Sequence, residues 1–168
     1  GMGGFVASPS WTSSLLAIDV AFVDARGVEA GARLMDVNGD LRPDVVVAMP
    51  GSSSVVAGRR EVYLNDGTGW ARDEAFTSSL SSLDEIVRLP TIIADILGIP
   101  CTPTTDDPLF CELSLPLTFV EPDGDSRGVY VADVNADGLP DLVWSQLNTE
   151  DLGVAVRVPV GVRAVYLN

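Results

Sequence analysis

Short apolar runs separated by turn-forming residues dominate the pattern along the chain. Valine, leucine, isoleucine and tyrosine cluster in stretches of four or five residues, with glycine, proline, asparagine and aspartate between them. Runs of this length that end in turn residues are typical of β-strands. The pattern predicts strands at 45–49, 61–64, 129–132, 142–145, 154–158 and 163–167. We therefore expect an all-β fold.

The same 25-residue pattern occurs twice in the chain. Residues 22–46 align with 119–143 at an offset of 97, and eleven of the 25 positions are identical. The identities include two glycines, a proline and every acidic position of one short loop. A second shared element follows each copy, because the VYLN of 62–65 recurs at 165–168. Such self-similarity predicts repeated β units.

The repeat organises residues 1–168 into a single β-repeat domain or a fragment of one. Repeat 1 covers about 12–70, repeat 2 covers about 119–168, and an insertion of about 71–118 separates them. We interpret Trp11 as the last trace of an earlier turn, matching the tryptophan that closes repeat 1.

The insertion contains the one helical pattern that we identify in the chain. A short helical turn is predicted after a cap at Ser81 or Ser82, where the acidic pair at 84–85 favours the N-terminal end. A second short helix is predicted at 91–97, and Gly98 ends it. These small helices should pack on the β body through their isoleucines and leucines.

Both cysteines also lie in the insertion. Cys101 and Cys111 enclose a short polar segment with two prolines. In an oxidising compartment they would form a disulfide loop, whereas in a reducing one they would be two small reduced side chains. The sequence leaves both alternatives open. No further cysteine or histidine is available to build a zinc site around them.

Charge and hydropathy exclude two classes of partner. The formal net charge is −14, from 24 acidic and 10 basic residues. Nucleic-acid binding depends on positive side chains that neutralise phosphates, so we expect no nucleic-acid partner. No apolar run approaches the roughly 18–20 residues that span a bilayer, so we expect no membrane insertion.

Two nine-residue loops, DVNGDLRPD and DVNADGLPD, carry oxygen-bearing side chains at positions 1, 3, 5 and 9. A loop that curls round a small sphere points alternate side chains inward, and Ca²⁺ takes about six to eight oxygen ligands. The position-7 carbonyl and water would complete each set. Magnesium fits less well, and zinc would require histidine or cysteine. The predicted ligands of two calcium ions are Asp36, Asn38, Asp40, the carbonyl of Arg42 and Asp44, and equally Asp133, Asn135, Asp137, the carbonyl of Leu139 and Asp141.

Position 6 distinguishes the two loops. Gly138 occupies it in the second loop and suits a sharp turn, whereas the first loop has Leu41 there and Gly39 two residues earlier. We therefore expect the second site to bind calcium more tightly and the first to be weaker or geometrically adjusted. The alternative for either loop is an acidic turn closed by hydrogen bonds from aspartate side chains.

The sequence after each loop separates it from an EF-hand, because apolar β sequence follows instead of a position-12 glutamate and a helix. With DVNGDLRPDVVV and DVNADGLPDLVW as the matching motifs, the chain resembles the FG-GAP and VCBS repeat family, the calcium-loop blades of integrin α-type β-propellers. The resemblance covers most of the chain outside 71–118. It implies two to three four-stranded blades in an incomplete ring or open array, with a small helical, cysteine-containing insertion.

Three functional hypotheses follow. The leading one is a non-catalytic, calcium-binding module for extracellular or cell-surface adhesion, with a protein or glycan ligand and open blade edges that allow a homo-oligomer. The second is a structural segment of a large secreted toxin or surface protein, since VYLNDGTGW resembles repeats of such proteins. The third is a carbohydrate-active enzyme domain with Glu112 and Glu121 as its acid pair. It is disfavoured because the chain lacks histidine and lysine. Trp70 and Trp144, if exposed, could form a sugar platform, although tryptophans beside strands are more often core.

Overall fold

A computed structural model describes residues 4–51, 58–97, 102–121, 123–151 and 157–168. Most of the regular structure is antiparallel β, which confirms the expected all-β class at this coarse level. Of the predicted strand at 154–158, residues 154–156 lie outside the described residues. In chain order the elements are α1 (Pro9–Ala17), β1 (Ala32–Met35), β2 (Asp44–Met49), β3 (Arg59–Asn65), β4 (Trp70–Arg72), α2 (Glu74–Ser81), β5 (Asp84–Pro90), α3 (Thr91–Leu97), β6 (Phe110–Pro116), β7 (Val129–Ala132), β8 (Asp141–Asp151) and β9 (Arg157–Tyr166).

The first sheet is a four-stranded antiparallel meander in the order β1-β2-β3-β4. Its second strand, DVVVAM, is buried on both faces, which explains why its valines run without polar alternation. Beyond the short β4, the start of α2 takes over the pairing with β3. The amide of Asp73 donates to the carbonyl of Val62 at 2.9 Å, and the amide of Val62 donates to the hydroxyl of Thr77 at 3.0 Å.

The second sheet, in the order β7-β8-β9, repeats the first three strands of the first sheet. Its first hairpin has the register of the β1–β2 hairpin shifted by 97 residues, and β9 pairs with β8 as β3 pairs with β2. The turn that precedes each hairpin is closed by an equivalent isolated bridge. Equivalent pairs are Ala32–Val47 with Val129–Trp144, Val46–Val62 with Val143–Val165, and Val23–Glu29 with Val120–Ser126.

Each sheet has two faces, which we call the leading face and the trailing face and define by their residues. The leading face consists of Ala32, Val45, Val47 and Tyr63 in the first sheet and of Val129, Leu142, Trp144 and Tyr166 in the second. The trailing face consists of Met35, Val46, Ala48 and Val62 in the first sheet and of Ala132, Val143, Ser145 and Val165 in the second.

The main core lies where the trailing face of the first sheet packs on the leading face of the second. Trp144 and Phe119 are fully buried at its centre, and Leu80 of α2 closes one side. A second, smaller core covers the leading face of the first sheet with residues 18–22. Residues 18–22 and 115–119 occupy equivalent places ahead of the two sheets, as the offset of 97 requires.

The helical predictions for the insertion are partly wrong. The helix does not begin at Ser81 or Ser82, because α2 ends there. It begins after Asp73, whose carboxylate accepts the amide hydrogen of Phe76 at 2.9 Å as an N-terminal cap. Residues 84–85 belong to β5, which pairs with β6. The helix predicted at 91–97 is confirmed as α3, while Gly98 lies outside the described residues.

The N-terminal region also differs from the prediction. Helical structure is not confined to the insertion, because α1 spans Pro9–Ala17 with proline at its first position. Trp11 lies in this helix and is not the trace of an earlier turn. Its ring packs edge-to-face on Trp70 with 4.8 Å between centroids, and Ser14 accepts a hydrogen bond from the Trp70 amide at 2.8 Å. This helix therefore anchors the N-terminus on β4.

Cys111, on β6, is buried and disulfide-bonded. The chain has one other cysteine, Cys101, which lies outside the described residues. Cys111 is thus in the oxidised form. Among the described residues, no helix has the length and apolar character needed to cross a bilayer.

Candidate metal loops

Each acidic loop joins the first two strands of its sheet, and the position-9 aspartate is the first residue of the second strand. The carboxylate of Asp44 is buried and accepts hydrogen bonds from the amides of Val37 at 3.0 Å and Asn65 at 2.8 Å. In the second loop, Asp141 accepts the equivalent bonds from Val134 at 2.8 Å and Asn168 at 3.0 Å. This aspartate therefore ties the loop to the end of the third strand.

The side chains of positions 1, 3 and 5 converge inside the first loop. One carboxylate oxygen of Asp36 accepts the amide hydrogens of Gly39 and Asp40, and the other accepts that of Leu41 at 2.7 Å. Asn38 accepts the Asp40 amide at 3.1 Å and donates to the Asp40 carboxylate at 3.3 Å. The predicted ligand side chains are thus brought together by their own turn.

The second loop repeats this network. Asp133 accepts the amides of Asp137 at 3.2 Å and Gly138 at 2.9 Å, one on each carboxylate oxygen. Asn135 donates to the carboxylate of Asp137 at 2.8 Å, and Asp137 in turn accepts the amide of Leu139 at 2.8 Å. The equivalence found in the sequence therefore extends to individual hydrogen bonds.

The position-9 carboxylates differ in their electrostatic surroundings. Burial raises the pKa of Asp44, and the nearby Asp40 and Asp36 add to this effect, although two amide donors oppose it. For Asp141, the amide donors from Asn168 and Val134 lower the pKa. Desolvation is the largest influence on the pKa of Asp44, whereas the amide donors outweigh it at Asp141, and this explains the opposite directions.

The two loops also touch each other. The side chain of Leu139 reaches the backbone of Gly39, where an added Cβ would lie only 3.0 Å from it. The side-chain amide of Asn168 donates to the carbonyl of Val37 at 2.7 Å, while its backbone amide holds Asp141. Asn168 thus connects position 2 of the first loop with position 9 of the second.

Backbone geometry shows that the residue at position 6 does not by itself make the first loop weaker than the second. Both position 4 and position 6 adopt positive φ: Gly39 has 76° and Leu41 has 67°, and their counterparts Ala136 and Gly138 have 62° and 91°. Each loop therefore has one glycine and one strained residue, in opposite order. The first loop has glycine at position 4 and not at position 6, and the second loop has the reverse. Gly39 therefore compensates for the absence of glycine at position 6 of the first loop.

The basic residue at position 7 remains as a difference between the loops. Arg42 places a guanidinium nitrogen 3.4 Å from the Asp40 carboxylate, where the second loop has the uncharged Leu139. A cation already paired with a ligand carboxylate opposes the binding of a second cation. The second loop is thus the more electronegative of the two at its interior.

The donor chemistry of each loop suits a hard cation, but its present geometry does not form a closed metal group. In the described ranges, no three Asp, Glu, His or Cys side chains are grouped as if to hold a metal ion. The side-chain donors inside both loops are oxygens of aspartate and asparagine. A carboxylate oxygen has two lone pairs, so one that accepts an amide hydrogen can still bind a cation. The residues present therefore fit calcium by chemistry.

The other candidate residues lie outside the two loops. Glu112 is exposed on β6, and Glu121 pairs with Arg127 at 3.0 Å. Trp144 is fully buried, so it cannot contribute to a sugar platform. Trp70 is half-buried, stacked on Trp11 with its ring nitrogen donating to the Pro43 carbonyl at 3.1 Å.

Sequence reasoning missed the two asparagines that end the third strands. Asn65 and Asn168 hold the position-9 aspartates through their backbone amides. The signal was present, because the VYLN motif ends in asparagine in both repeats.

Comparison of the chain with protein-family models, curated proteins and solved structures gave no match. Function therefore has to be inferred from the chemistry of the loops.

Proposed function

We propose that the protein is a calcium-stabilised, non-catalytic binding or adhesion module that acts outside the cell. The observation that supports it best is the duplication of one hydrogen-bond network around two identical Asp-Asn-Asp-Asp sets. A turn that serves only to reverse the chain does not require three carboxylates and an amide at fixed positions. Calcium coordination does require oxygen ligands in this arrangement.

Calcium would act here as a structural brace. Three carboxylates in one short loop repel one another, and a divalent cation would convert that repulsion into attraction. Because Asp44 and Asp141 also hold the third strand, the brace would extend from the first hairpin to the whole sheet. The ligands would be the ten residues predicted from the sequence, with water completing the set.

The repeats are proposed to be blades of FG-GAP or VCBS type. Support comes from the four-stranded antiparallel meander of the first unit, its equivalence to the second and the position of the loop in the first hairpin. The disulfide of Cys111 supports an oxidising, extracellular location. We expect the second site to bind more tightly, since Arg42 competes for Asp40 in the first.

Calorimetric calcium titration of the chelator-treated protein tests this function. We expect two binding events, a higher melting temperature in millimolar calcium, and loss of the tighter event in Asp137→Asn. Asp40→Asn should remove the weaker event. Asp66→Asn is the matched control, because Asp66 caps a turn through the amides of Thr68 and Gly69 outside both loops. Absence of both heat and thermal stabilisation at millimolar calcium would overturn the proposal.

A further inference from the structure

Within the described part of the chain, no sheet packs against the trailing face of the second sheet, although its counterpart in the first sheet is part of the main core. Val165 is 56% exposed, whereas its counterpart Val62 is 3% exposed. Val134 is also exposed, while its counterpart Val37 is buried. We call the exposed Tyr130, Val134 and Val165, together with the half-buried Val143, the tail surface. The backbone here has the same strand register as the trailing face of the first sheet, which packs against a whole sheet.

At the other end of the molecule, the segment ahead of the first sheet is only partly covered. Val23 is 54% exposed, whereas its counterpart Val120 is 3% exposed because it lies between the two sheets. Phe22 is half-buried and its counterpart Phe119 is fully buried. We call Ile18, Val20, Phe22 and Val23 the head surface. Helix α1 lies against Trp70 at the β4 edge and leaves Phe22 and Val23 partly open.

Contacts inside the molecule show how a head surface meets a tail surface. The amide of Phe119 donates to the carbonyl of Ala48 at 2.7 Å. The guanidinium of Arg33, the counterpart of Tyr130, stacks 5.3 Å from the Phe119 ring centroid. Equivalent residues occur on the free surfaces, where Phe22 stands for Phe119 and Ser145 stands for Ala48. The two free surfaces therefore share the backbone register of the internal contact, and the head surface keeps its phenylalanine.

We propose that a second copy of this chain docks head-to-tail, with its head surface on the tail surface of the first. The contact would repeat the operation that relates the two repeats within one chain, so it is heterologous rather than two-fold symmetric. This inference depends on the repeat geometry and not on calcium. It also places the self-association on sheet faces, whereas the sequence suggested the blade edges.

The association should be weak and dependent on salt. The trailing face of the second sheet is less apolar than that of the first, since Ala132 replaces Met35 and Ser145 replaces Ala48. Each copy also carries a net charge of −14, and the resulting repulsion is screened only at moderate ionic strength. We therefore expect a monomer at low concentration and low salt, and larger species as either is raised.

Sedimentation velocity of two complementary variants tests the proposal at physiological ionic strength. Val165→Arg blocks the tail surface and Val23→Arg blocks the head surface. Each variant alone should stay monomeric, while an equimolar mixture should form a heterodimer and nothing larger, because one intact head and one intact tail remain. Leu109→Arg, at an exposed residue outside both surfaces, should associate like the wild type. Circular dichroism and the melting temperature establish that each variant folds.

Two results would overturn the proposal. A wild-type protein that stays monomeric up to millimolar concentration and in added salt has no such contact. If Val23→Arg still dimerises alone, the contact is a symmetric one between two tail surfaces. Neither result affects calcium binding, so failure here is distinguishable from failure of the proposed function.

Discussion

At the scale of single residues, the loops depend on two backbone conformations that L-residues disfavour. Leu41 and Ala136 have φ values of 67° and 62°, and the remaining left-handed position of each loop is a glycine. A residue with a Cβ in this region loses about 1–2 kcal/mol relative to an unstrained conformation. The side chain of Leu41 is exposed, so burial does not offset this cost. The loops thus retain strain that glycine would remove.

Leu41→Gly and Ala136→Gly should each stabilise the protein. Relief of the left-handed strain outweighs the greater flexibility of glycine in the unfolded chain, so we expect a gain of about 0.5–1 kcal/mol in the free energy of unfolding. Urea denaturation of the calcium-free protein measures it. Ala71→Gly in β4, at an exposed position outside the loops, should lower stability instead. Equal losses in all three variants would show that the loops are not strained.

The spacing of the loop residues was sufficient to predict which side chains come together. It was not sufficient to predict the strain, because each loop has glycine at only one of its two left-handed positions. Position 6 alone made Leu41 look exceptional, although Ala136 has the same left-handed backbone conformation at position 4 of the second loop. A comparison of both loops position by position contains this information, but turn geometry is needed to interpret it.

At the scale of elements, local signals worked where an element depends on its own sequence. The valine-rich β2 and the helix after Pro90 were predicted within a residue. Ser81 and Ser82 misled because serine followed by acidic residues also occurs where a helix ends and a strand begins. The β5–β6 pair is fixed by contacts between residues that are 20 to 32 positions apart, from Pro90–Phe110 to Asp84–Pro116, and local pattern does not encode them. Tertiary pairing decided these elements.

Helix α2 should contribute to the first sheet through one buried hydroxyl. Thr77→Val keeps the shape of the side chain but leaves the buried amide of Val62 without its acceptor, so we expect a loss of about 1–3 kcal/mol in the free energy of unfolding. Thermal and urea denaturation measure it. Thr77→Ser retains the hydroxyl and should cost less. If Thr77→Val destabilises no more than Thr77→Ser, the hydrogen bond to Val62 does not make this contribution.

At the scale of the whole molecule, the two sheets share one core and should unfold together. The main core joins the trailing face of the first sheet to the leading face of the second, with Trp144 fully buried between them. The insertion contributes Leu80 and Leu117 to the same core. The repeat was visible in the sequence, but its face-to-face packing was not, because both faces of β2 read as equally apolar.

Trp144→Ala should destabilise both sheets. Removing a buried indole costs about 3–5 kcal/mol through lost burial and a residual cavity. Hydrogen exchange should therefore show reduced protection in β2 as well as in β8. Tyr130→Ala, which truncates an exposed aromatic residue on the neighbouring β7, should leave both patterns nearly unchanged at low protein concentration. Protection that persists in β2 alone would mean that the sheets unfold independently.

The pairing of the third strands shows which parts of the repeated unit keep their length and which vary. Val143 follows Val46 by 97 residues, whereas Val165 follows Val62 by 103, so the connection between these paired residues is six residues longer in the second unit, where β8 and β9 extend further than β2 and β3. The third strand nevertheless resumes the same pairing in both units. The asparagine of its VYLN motif then donates its backbone amide hydrogen to the position-9 aspartate. Length at this connection is therefore free to vary between units, which makes it a natural place for grafted recognition sequences in an engineered binding protein.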